Sequence, residues 1–254
     1  MTVSFLPQIA LLFMLIFARL GTMLMLLPAL GESNIPPRIR LSLALLLAML
    51  LYPSLAGRYP GAVPGNFGAL IVMFASEFVV GLFIGLSVRL IMAGIQIAGT
   101  IMAQQSSLAM AMAFDPTQSQ QGVLFANFLT LLAVTLIFAT NLHYLVIAAL
   151  NDSFTLFPPG HWMPVGDLAE SAVETVAAAF SIGMRISAPF IVFGLVFYFG
   201  LGLLNRLMPQ MQIFFIAMPA NIFLGIGLLM LLLGTLMTWY MSHIEQVLGR
   251  FVVR

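Results

Sequence analysis

Four ionisable side chains lie inside strongly apolar stretches of this sequence: Arg19, Glu77, Arg89 and Arg185. An ionisable group at membrane depth costs at least about 2.5 kcal/mol on insertion scales, so it normally faces a partner, a cavity or water. The functional interpretation is a polar seam that lines a conduit or a subunit interface. The structural alternative is ion pairing within the helix bundle, or snorkelling near a helix end. A proton or ion relay is disfavoured, because one carboxylate among three arginines offers few groups that exchange a proton.

Glu77 needs a hydrogen-bond donor that its own helix does not supply. Arg89 follows it by twelve residues, which places the two side chains well apart around a helix. The sequence therefore predicts that Glu77 meets an arginine of another helix or of another chain. Gly81 and Gly85 continue the Glu77 series at intervals of four, and this spacing of small residues lets helices approach closely.

Conventional catalytic and metal-binding chemistry finds no support in the sequence. The chain has no cysteine, and its three histidines are far apart and lack acidic residues at ligand spacing. Ser87 and Ser187 lack the glycine-flanked context of a serine nucleophile. The absence of lysine also excludes a phosphate-binding loop of the Walker type. We therefore expect no enzyme activity, no cofactor and no metal.

Composition explains why so few polar residues are available. Apolar residues make up 62% of the 254 positions and charged residues only 7%, whereas a soluble domain carries about 25% charged residues. The surface must therefore meet lipid, other protein or both. A net charge of +1 gives no clustered basic footprint for nucleic acid.

Six apolar blocks must position these residues, and they predict an all-α, membrane-protein-like fold of about six long helices arranged as hydrophobic hairpins. Each block exceeds or approaches the ~20 residues that cross a hydrocarbon core of ~30 Å, and lipid cannot satisfy the exposed backbone of irregular structure. Blocks three and six are too long for one ordinary crossing. We expect a kink, at Gly94 and Gly99 or at Pro219, or extension beyond the bilayer. The blocks run from Phe5 to Leu30, Ile39 to Ala56, Phe67 to Ala103, Val123 to Leu150, Val173 to Leu204 and Met208 to Leu248.

Loop charges give no orientation for these crossings. With six crossings, three loop or terminal arginines fall on each side, so the positive-inside count ties. The tie indicates that partner proteins rather than loop charge set the final location. The first block follows no basic region and no small-residue cleavage site, so we expect it to remain in the mature protein. The two sets are Arg38, Arg40 and Arg206 against Arg58, Arg250 and Arg254.

One polar but nearly uncharged segment, from Gln104 to Gly122, separates two strongly apolar helices. A surface connection is one interpretation. The other is a re-entrant loop, which is tolerated at membrane depth only when it is buried in protein or lines a cavity. Methionines at its near edge are unbranched and adaptable, as a soft seal requires. The residues singled out there are Ser106, Met110, Met112, Phe114, Asp115 and Pro116.

Short motifs follow one another in a distinctive order along nearly the whole chain. The two most specific are Ile35-Pro-Pro-Arg-Ile-Arg40 and Arg206-Leu-Met-Pro-Gln210. The others are Phe17-Ala-Arg19, Glu77-Phe-Val-Val-Gly81, Phe114-Asp-Pro116, Asn141-Leu-His-Tyr144, Asn151-Asp-Ser-Phe154 and Phe157-Pro-Pro-Gly160. Together they resemble the FliR family, the R subunit of the flagellar type III protein-export gate. The stretch from Asn141 to Phe154 is more similar to the flagellar branch than to the related T subunit of virulence injectisomes.

This resemblance implies one domain over residues 1–254 that works as a single copy within a spiral gate. Its partners would be several copies of the P and Q subunits, further gate subunits, membrane lipid and, transiently, the unfolded flagellar proteins that pass through the centre. Residues 1–150 would resemble a P subunit and residues 173–254 a Q subunit. The implied location is the bacterial inner membrane, in the flagellar basal body, with much of the chain held above the bilayer plane.

The same resemblance assigns roles to two segments. Ser106 to Gly122 matches the place where the family carries a plug that closes the pore. Arg206, Pro209 and Gln210 match the segment that joins the last two helices near the cytoplasm-facing entrance. Two other functions stay open: a subunit of a virulence injectisome gate, and a self-contained transporter of a small solute. A transporter should show its own midplane polar site, whereas the buried charge here is sparse and mostly positive.

Overall fold

The structure is a computed structural model that describes residues 6–28, 30–31, 35–59, 66–109, 124–160, 165–209 and 213–252. Within these ranges the chain forms α-helices and no β-strand, which confirms the predicted all-α class. Short 3-10 turns follow the second helix at Ala56–Arg58 and the last helix at Gly249–Phe251. The seven helices of the described ranges are α1 (Leu6–Leu26), α2 (Pro37–Leu55), α3 (Phe67–Gln105), α4 (Leu124–Ala139), α5 (His143–Leu156), α6 (Val165–Leu207) and α7 (Ile213–Leu248).

Five helices, α1, α2, α3, α6 and α7, are each long and apolar enough to cross a membrane. The count rises to six if α4 and α5 form one span, since the two helices together also meet this criterion. The sequence-based expectation of about six membrane-length helices is therefore confirmed for the described residues.

The break between α4 and α5 divides the single apolar block that the sequence predicts from Val123 to Leu150. The two helices are bent by 77° across this break. Asn141, in the break, has a φ of 61°, and asparagine enters this left-handed region more readily than most residues because its short side chain bonds locally. The amide of Tyr144 donates to the Asn141 carbonyl over 3.0 Å, so a new helix starts at once.

The long helices run without a break through the positions where kinks were expected. Helix α3 covers 39 residues and includes Gly94 and Gly99, while α7 covers 36 residues with Pro219 inside it. At ~1.5 Å per residue, α3 is about 58 Å long, roughly twice the ~30 Å of a hydrocarbon core. A single perpendicular crossing would therefore leave about half of α3 outside the hydrocarbon core.

The Ile35–Arg40 motif fastens the connection between α1 and α2, which pack against each other. Pro37 is the first residue of α2, and its fixed φ suits that position, where an amide would have no helical partner. The Arg40 side chain binds the segment that precedes α2. Its Nε donates to the Ile35 carbonyl at 3.2 Å, and its Nη1 donates to the Gly31 carbonyl at 3.5 Å. These hydrogen bonds stabilise the connection between α1 and α2.

Contacts divide the chain into two compact units whose sequences interleave. The first unit comprises Met1–Ile91, Phe138–Val176 and Glu245–Arg254, and the second comprises Met92–Ile137 and Ala177–Ile244. The assignment of residues 1–150 and 173–254 to P-like and Q-like halves stays a prediction. Fully buried side chains include Leu15, Ile16, Leu20, Leu55 and Phe154 in the first unit, and Ile95, Met102, Ile186, Phe190 and Tyr240 in the second.

Candidate functional site

The most deeply buried charges of the described residues are Arg19 on α1 and Glu77 on α3, and they pair with each other. Arg19 Nε donates to Glu77 Oε2 over 2.5 Å, and the two side chains are 2% and 0% exposed. The donor that Glu77 requires is thus an arginine of another helix in the same chain. Both residues belong to the first compact unit.

The same guanidinium also holds the C-terminal end of α5. Arg19 Nη1 donates to the carbonyl oxygens of Ser153 at 2.9 Å and Phe157 at 3.0 Å, and the Ser153 carbonyl also accepts the amide of Phe157 at 2.9 Å. Arg19 Cζ lies 4.3 Å from the centre of the Phe154 ring, a cation–π distance. A planar fork of donors can bind a carboxylate and carbonyls together, which a lysine ammonium does less well. One side chain therefore ties α1, α3 and α5.

Glycines on α3 let α1 come close enough for this pair to form. Gly81 and Gly85 are one and two helical turns after Glu77 and face α1. A Cβ atom on Gly81 would overlap Thr22 Oγ1 and lie 2.5 Å from the Arg19 carbonyl oxygen, and one on Gly85 would lie 2.9 Å from Leu26 Cβ. These positions have no room for a methyl group, so the small-residue spacing seen in the sequence is a close helix contact.

Tyr59, which follows the 3-10 turn after α2, completes the surroundings of Glu77. Its ring is buried and lies 6.3 Å from the Phe154 ring, centre to centre. Among the described residues, neither the Tyr59 hydroxyl nor Glu77 Oε1 has a hydrogen-bond partner of normal geometry. Burial raises the pKa of the Tyr59 phenol, and the nearby Glu77 carboxylate raises it further. The phenol therefore stays protonated at neutral pH.

Arg89 and Arg185, the other members of the predicted polar seam, are placed differently. Both side chains are exposed on α3 and α6 respectively, and neither makes an ion pair or a hydrogen bond to another described residue. They stand in the middle of helices that are otherwise strongly apolar. The structure thus pairs Arg19 with Glu77 and leaves these two cations on the surface of the chain.

A second buried polar cluster lies at the C-terminal end of α3, in the second unit. Asn221 on α7 is fully buried, and its Nδ2 donates to the Gln105 carbonyl at 3.2 Å and to Ser107 Oγ at 2.6 Å. Ser107 Oγ is also 2.9 Å from the Tyr198 hydroxyl on α6. Ser106, singled out in the sequence, is fully buried beside it and packs on Gly225.

Sequence reasoning missed three members of this cluster: Ser107, Tyr198 and Asn221. One signal was available, because Asn221 is the only side-chain amide in the apolar stretch of α7 from Ile213 to Tyr240, and such a group normally finds a partner inside the protein. The left-handed conformation of Ser107 carries no sequence signal.

Of the remaining predicted site residues, two lie near the end of a described range and six lie outside the described residues. Arg206 is exposed in the last turn of α6, and Pro209 is exposed in the turn after it. Outside the described residues lie Met110, Met112, Phe114, Asp115, Pro116 and Gln210. Their predicted roles in a plug and an entrance segment stay predictions.

Comparison with known proteins places most of the chain in one family. Residues 10–247 match the model of the family described as bacterial export proteins, family 1. A flagellar biosynthetic protein FliR of Caulobacter vibrioides is 44% identical over 226 residues, which cover 89% of this chain and 90% of that protein. The FliR of Escherichia coli is 29% identical over 213 residues, which cover 80% of this chain and 76% of that protein.

A more distant relative is a protein named for the translocation of Yop proteins. Yop proteins translocation protein T of Yersinia pestis is 27% identical over 177 residues, which cover 68% of this chain and 66% of that protein. Both the identity and the matched length are lower than for the Caulobacter FliR. The similarity is therefore greater to the Caulobacter FliR than to the Yersinia protein.

Proposed function

Because the chain belongs to the FliR family of bacterial export proteins, we propose that it is a non-enzymatic subunit of the flagellar type III protein-export gate in the bacterial inner membrane. In this proposal it forms, with P and Q subunits, the channel through which unfolded flagellar proteins leave the cytoplasm. The observation that carries the proposal is the 44% identity to a FliR over nine-tenths of both chains.

Large apolar side chains on the surface support a chain that is covered by partners or lipid. Leu50 on α2 is 73% exposed, and Phe223 and Leu231 on α7 are 79% and 78% exposed. Phe223 and Met230 are seven residues apart, two helical turns, so they share one face of α7. Exposed apolar patches of this kind mark membrane or protein contacts.

The two exposed arginines favour protein rather than lipid over part of that surface. A guanidinium in the middle of an apolar helix is costly in hydrocarbon and normally faces a partner, a cavity or water. Arg89 and Arg185 have no such partner among the described residues of their own chain. In the proposed gate they face a neighbouring subunit or the aqueous conduit, which is the polar-seam role predicted for them.

The segments with predicted roles fit into the same proposal. The residues from Ser106 to Gly122 close the pore as a plug, and Arg206, Pro209 and Gln210 border the entrance that faces the cytoplasm. Helices α3 and α6, of 39 and 43 residues, are each longer than the hydrocarbon core is thick, which is consistent with a subunit held partly above the membrane by its partners.

A self-contained transporter fits the chain less well. Such a protein needs a midplane polar site on interrupted helices. The deepest charges described here, Arg19 and Glu77, neutralise each other and hold a helix end. An injectisome gate subunit has similar chemistry, but the greater similarity to the flagellar relatives favours the flagellar gate.

Export by a deletion strain tests this proposal. Cells that lack the chain should retain exportable flagellar proteins in the cytoplasm and release none into the medium, and expression of the wild-type chain should restore release. Normal release without the chain would contradict the proposal.

Cross-linking tests the channel itself. A photoreactive residue at Pro209, at the proposed entrance, should cross-link to an exported protein that is stalled by a stably folded fusion domain. The same residue at Met49, on the exposed face of α2, serves as the matched control and should not. Equal cross-linking at both positions, or none at Pro209, would contradict passage of cargo along this segment.

A further inference from the structure

Helix α3 is interrupted by two residues rather than ended. The α-helix runs to Gln105, Ser106 and Ser107 form a turn, and Leu108 and Ala109 are helical again. Ser107 has a φ of 57°, in the left-handed region that residues other than glycine seldom adopt. A single φ/ψ change at this serine thus separates a broken helix from a continuous one.

The local sequence favours the continuous helix. Residues 108–114 read Leu-Ala-Met-Ala-Met-Ala-Phe, and alanine, leucine and methionine are among the strongest helix formers. Neither glycine nor proline occurs between Gln105 and Asp115. Local propensity therefore predicts that α3 continues past Ser107, so the break must be held by contacts from elsewhere in the fold.

Asn221 supplies those contacts and competes directly with helix formation. In a continuous α-helix the Gln105 carbonyl would accept the amide of Ala109, four residues later. In the structure the Asn221 amide donates to that carbonyl at 3.2 Å and to Ser107 Oγ at 2.6 Å. The Tyr198 hydroxyl, 2.9 Å from Ser107 Oγ, holds the serine from α6.

Glycines on α6 and α7 leave room for the broken form of α3. A Cβ atom on Gly194 of α6 would overlap the Gln105 side chain, and one on Gly225 of α7 would overlap Ser106 Cβ. Gly225 is four residues after Asn221, one turn along the same face of α7. The face that donates the hydrogen bonds also leaves room for the turn.

We infer that Ser107 is a two-state hinge in α3, which the Asn221 amide and the Tyr198 hydroxyl lock in the broken state and whose release makes α3 continuous through Ala109. This inference goes beyond the proposed function and does not depend on it, since every contact in the lock lies within the second unit of the chain.

Two substitutions at Ser107 distinguish the effect of its backbone conformation from the effect of its hydroxyl hydrogen bonds. Both Ser107→Ala and Ser107→Gly remove the hydrogen bonds that Ser107 Oγ makes with Asn221 and Tyr198, and neither removes the acceptor of the bond from Asn221 to the Gln105 carbonyl. Alanine strongly prefers the right-handed helix, whereas glycine accepts the left-handed conformation without steric cost. The alanine variant should therefore release the hinge, and the glycine variant should keep the break.

A distance between two spin labels reports the state of the hinge. The chain has no cysteine, so within it labels attach only to cysteines introduced at Gln96, exposed on α3, and at Ala109 beyond the break. The protein is purified from membranes with whatever partners accompany it. Thirteen residues of continuous helix span about 20 Å, and a bend shortens this distance. We expect a shorter distance in the wild-type and Ser107→Gly proteins and a longer one in Ser107→Ala.

Asn221→Leu and Tyr198→Phe provide independent tests if Ser107→Ala folds poorly. Asn221→Leu removes the competing donor and should lengthen the distance as Ser107→Ala does. Tyr198→Phe removes one hydroxyl on a partly exposed ring and should give a mixture of both distances. A wild-type distance in all of these variants would overturn the hinge, as would equal lengthening in Ser107→Ala and Ser107→Gly.

Discussion

Arg19 and Glu77 are fifty-eight residues apart in sequence and form a buried ion pair, with Arg19 Nε 2.5 Å from Glu77 Oε2. Because the same guanidinium donates to the carbonyls of Ser153 and Phe157, three distant parts of the chain meet at one side chain. Glu77 thus has its counter-ion within the chain, so the effect on assembly that we predict for Glu77 would pass through the fold of this subunit.

Glu77→Ala should loosen or abolish the hetero-oligomeric complex. It leaves the Arg19 charge buried without its counter-ion, and breaking a buried pair in this way costs about 3–5 kcal/mol. Glu77→Gln should be milder, because the amide oxygen still accepts a hydrogen bond. The amount of chain in membranes and the yield of complex in mild detergent measure both effects. If both variants assembled normally while export stopped, the assembly role of Glu77 would be contradicted, and a proton relay through Glu77 would be favoured instead.

Arg19→Lys should destabilise the complex, although it keeps the charge. The ammonium of lysine lacks the planar fork that binds Glu77 and the two carbonyls at the end of α5 together, and a buried acceptor left without its donor costs about 1–3 kcal/mol. The midpoint of heat-induced loss of the complex should therefore be lower for Arg19→Lys than for the wild type. A lysine variant as stable as the wild type would show that the carbonyl contacts contribute little.

The sequence predicted the helical class and the need of Glu77 for an arginine, because apolar length and burial cost are local properties. It did not identify Arg19 as the partner, since a contact across fifty-eight residues leaves no trace in helix periodicity. The bend at Asn141 was missed for a related reason: one turn-prone residue inside a long apolar run gives a weak signal, and tertiary contacts decide whether it is used. At Ser107 the local sequence predicts a continuous helix, because strong helix formers follow this residue. The structure instead has a break there.

Gly81→Ala should destabilise the chain, because its new methyl group would overlap Thr22 Oγ1 and approach the Arg19 carbonyl. Overpacking of this kind costs about 1–3 kcal/mol. Gly234→Ala on α7 is the matched control, since nothing lies within 4 Å of its Cβ position and alanine is the better helix former by about 1 kcal/mol. Complex yield should fall for the first variant and stay level or rise for the second. An equal loss of complex yield in both variants would contradict this prediction, because it would mean that Gly234 matters at the surface as much as Gly81 does in the helix contact.

Deletion of Phe114-Asp115-Pro116 should give an assembled but leaky gate. These residues lie outside the described part of the chain, and the prediction rests on their place in the segment proposed as a plug. Loops with few buried contacts open at low free-energy cost, so the helices should survive the deletion. Conductance of the purified complex, or osmotic sensitivity of the cells, measures the leak, and replacement of the three residues by alanines controls for loop length. A tight complex would contradict the plug, and disassembly would show that the segment is structural.

The central claim is that this chain works only as one member of a gate with P and Q subunits, and native mass spectrometry of the complex tests it most directly. The chain should be isolated from membranes in mild detergent, once with its P and Q subunits co-expressed and once without them. The account predicts one particle that contains a single copy of this chain with several copies of P and Q, and little stable chain when P and Q are absent. A stable monomer or homo-oligomer of the chain, with P and Q assembling without it, would contradict the account.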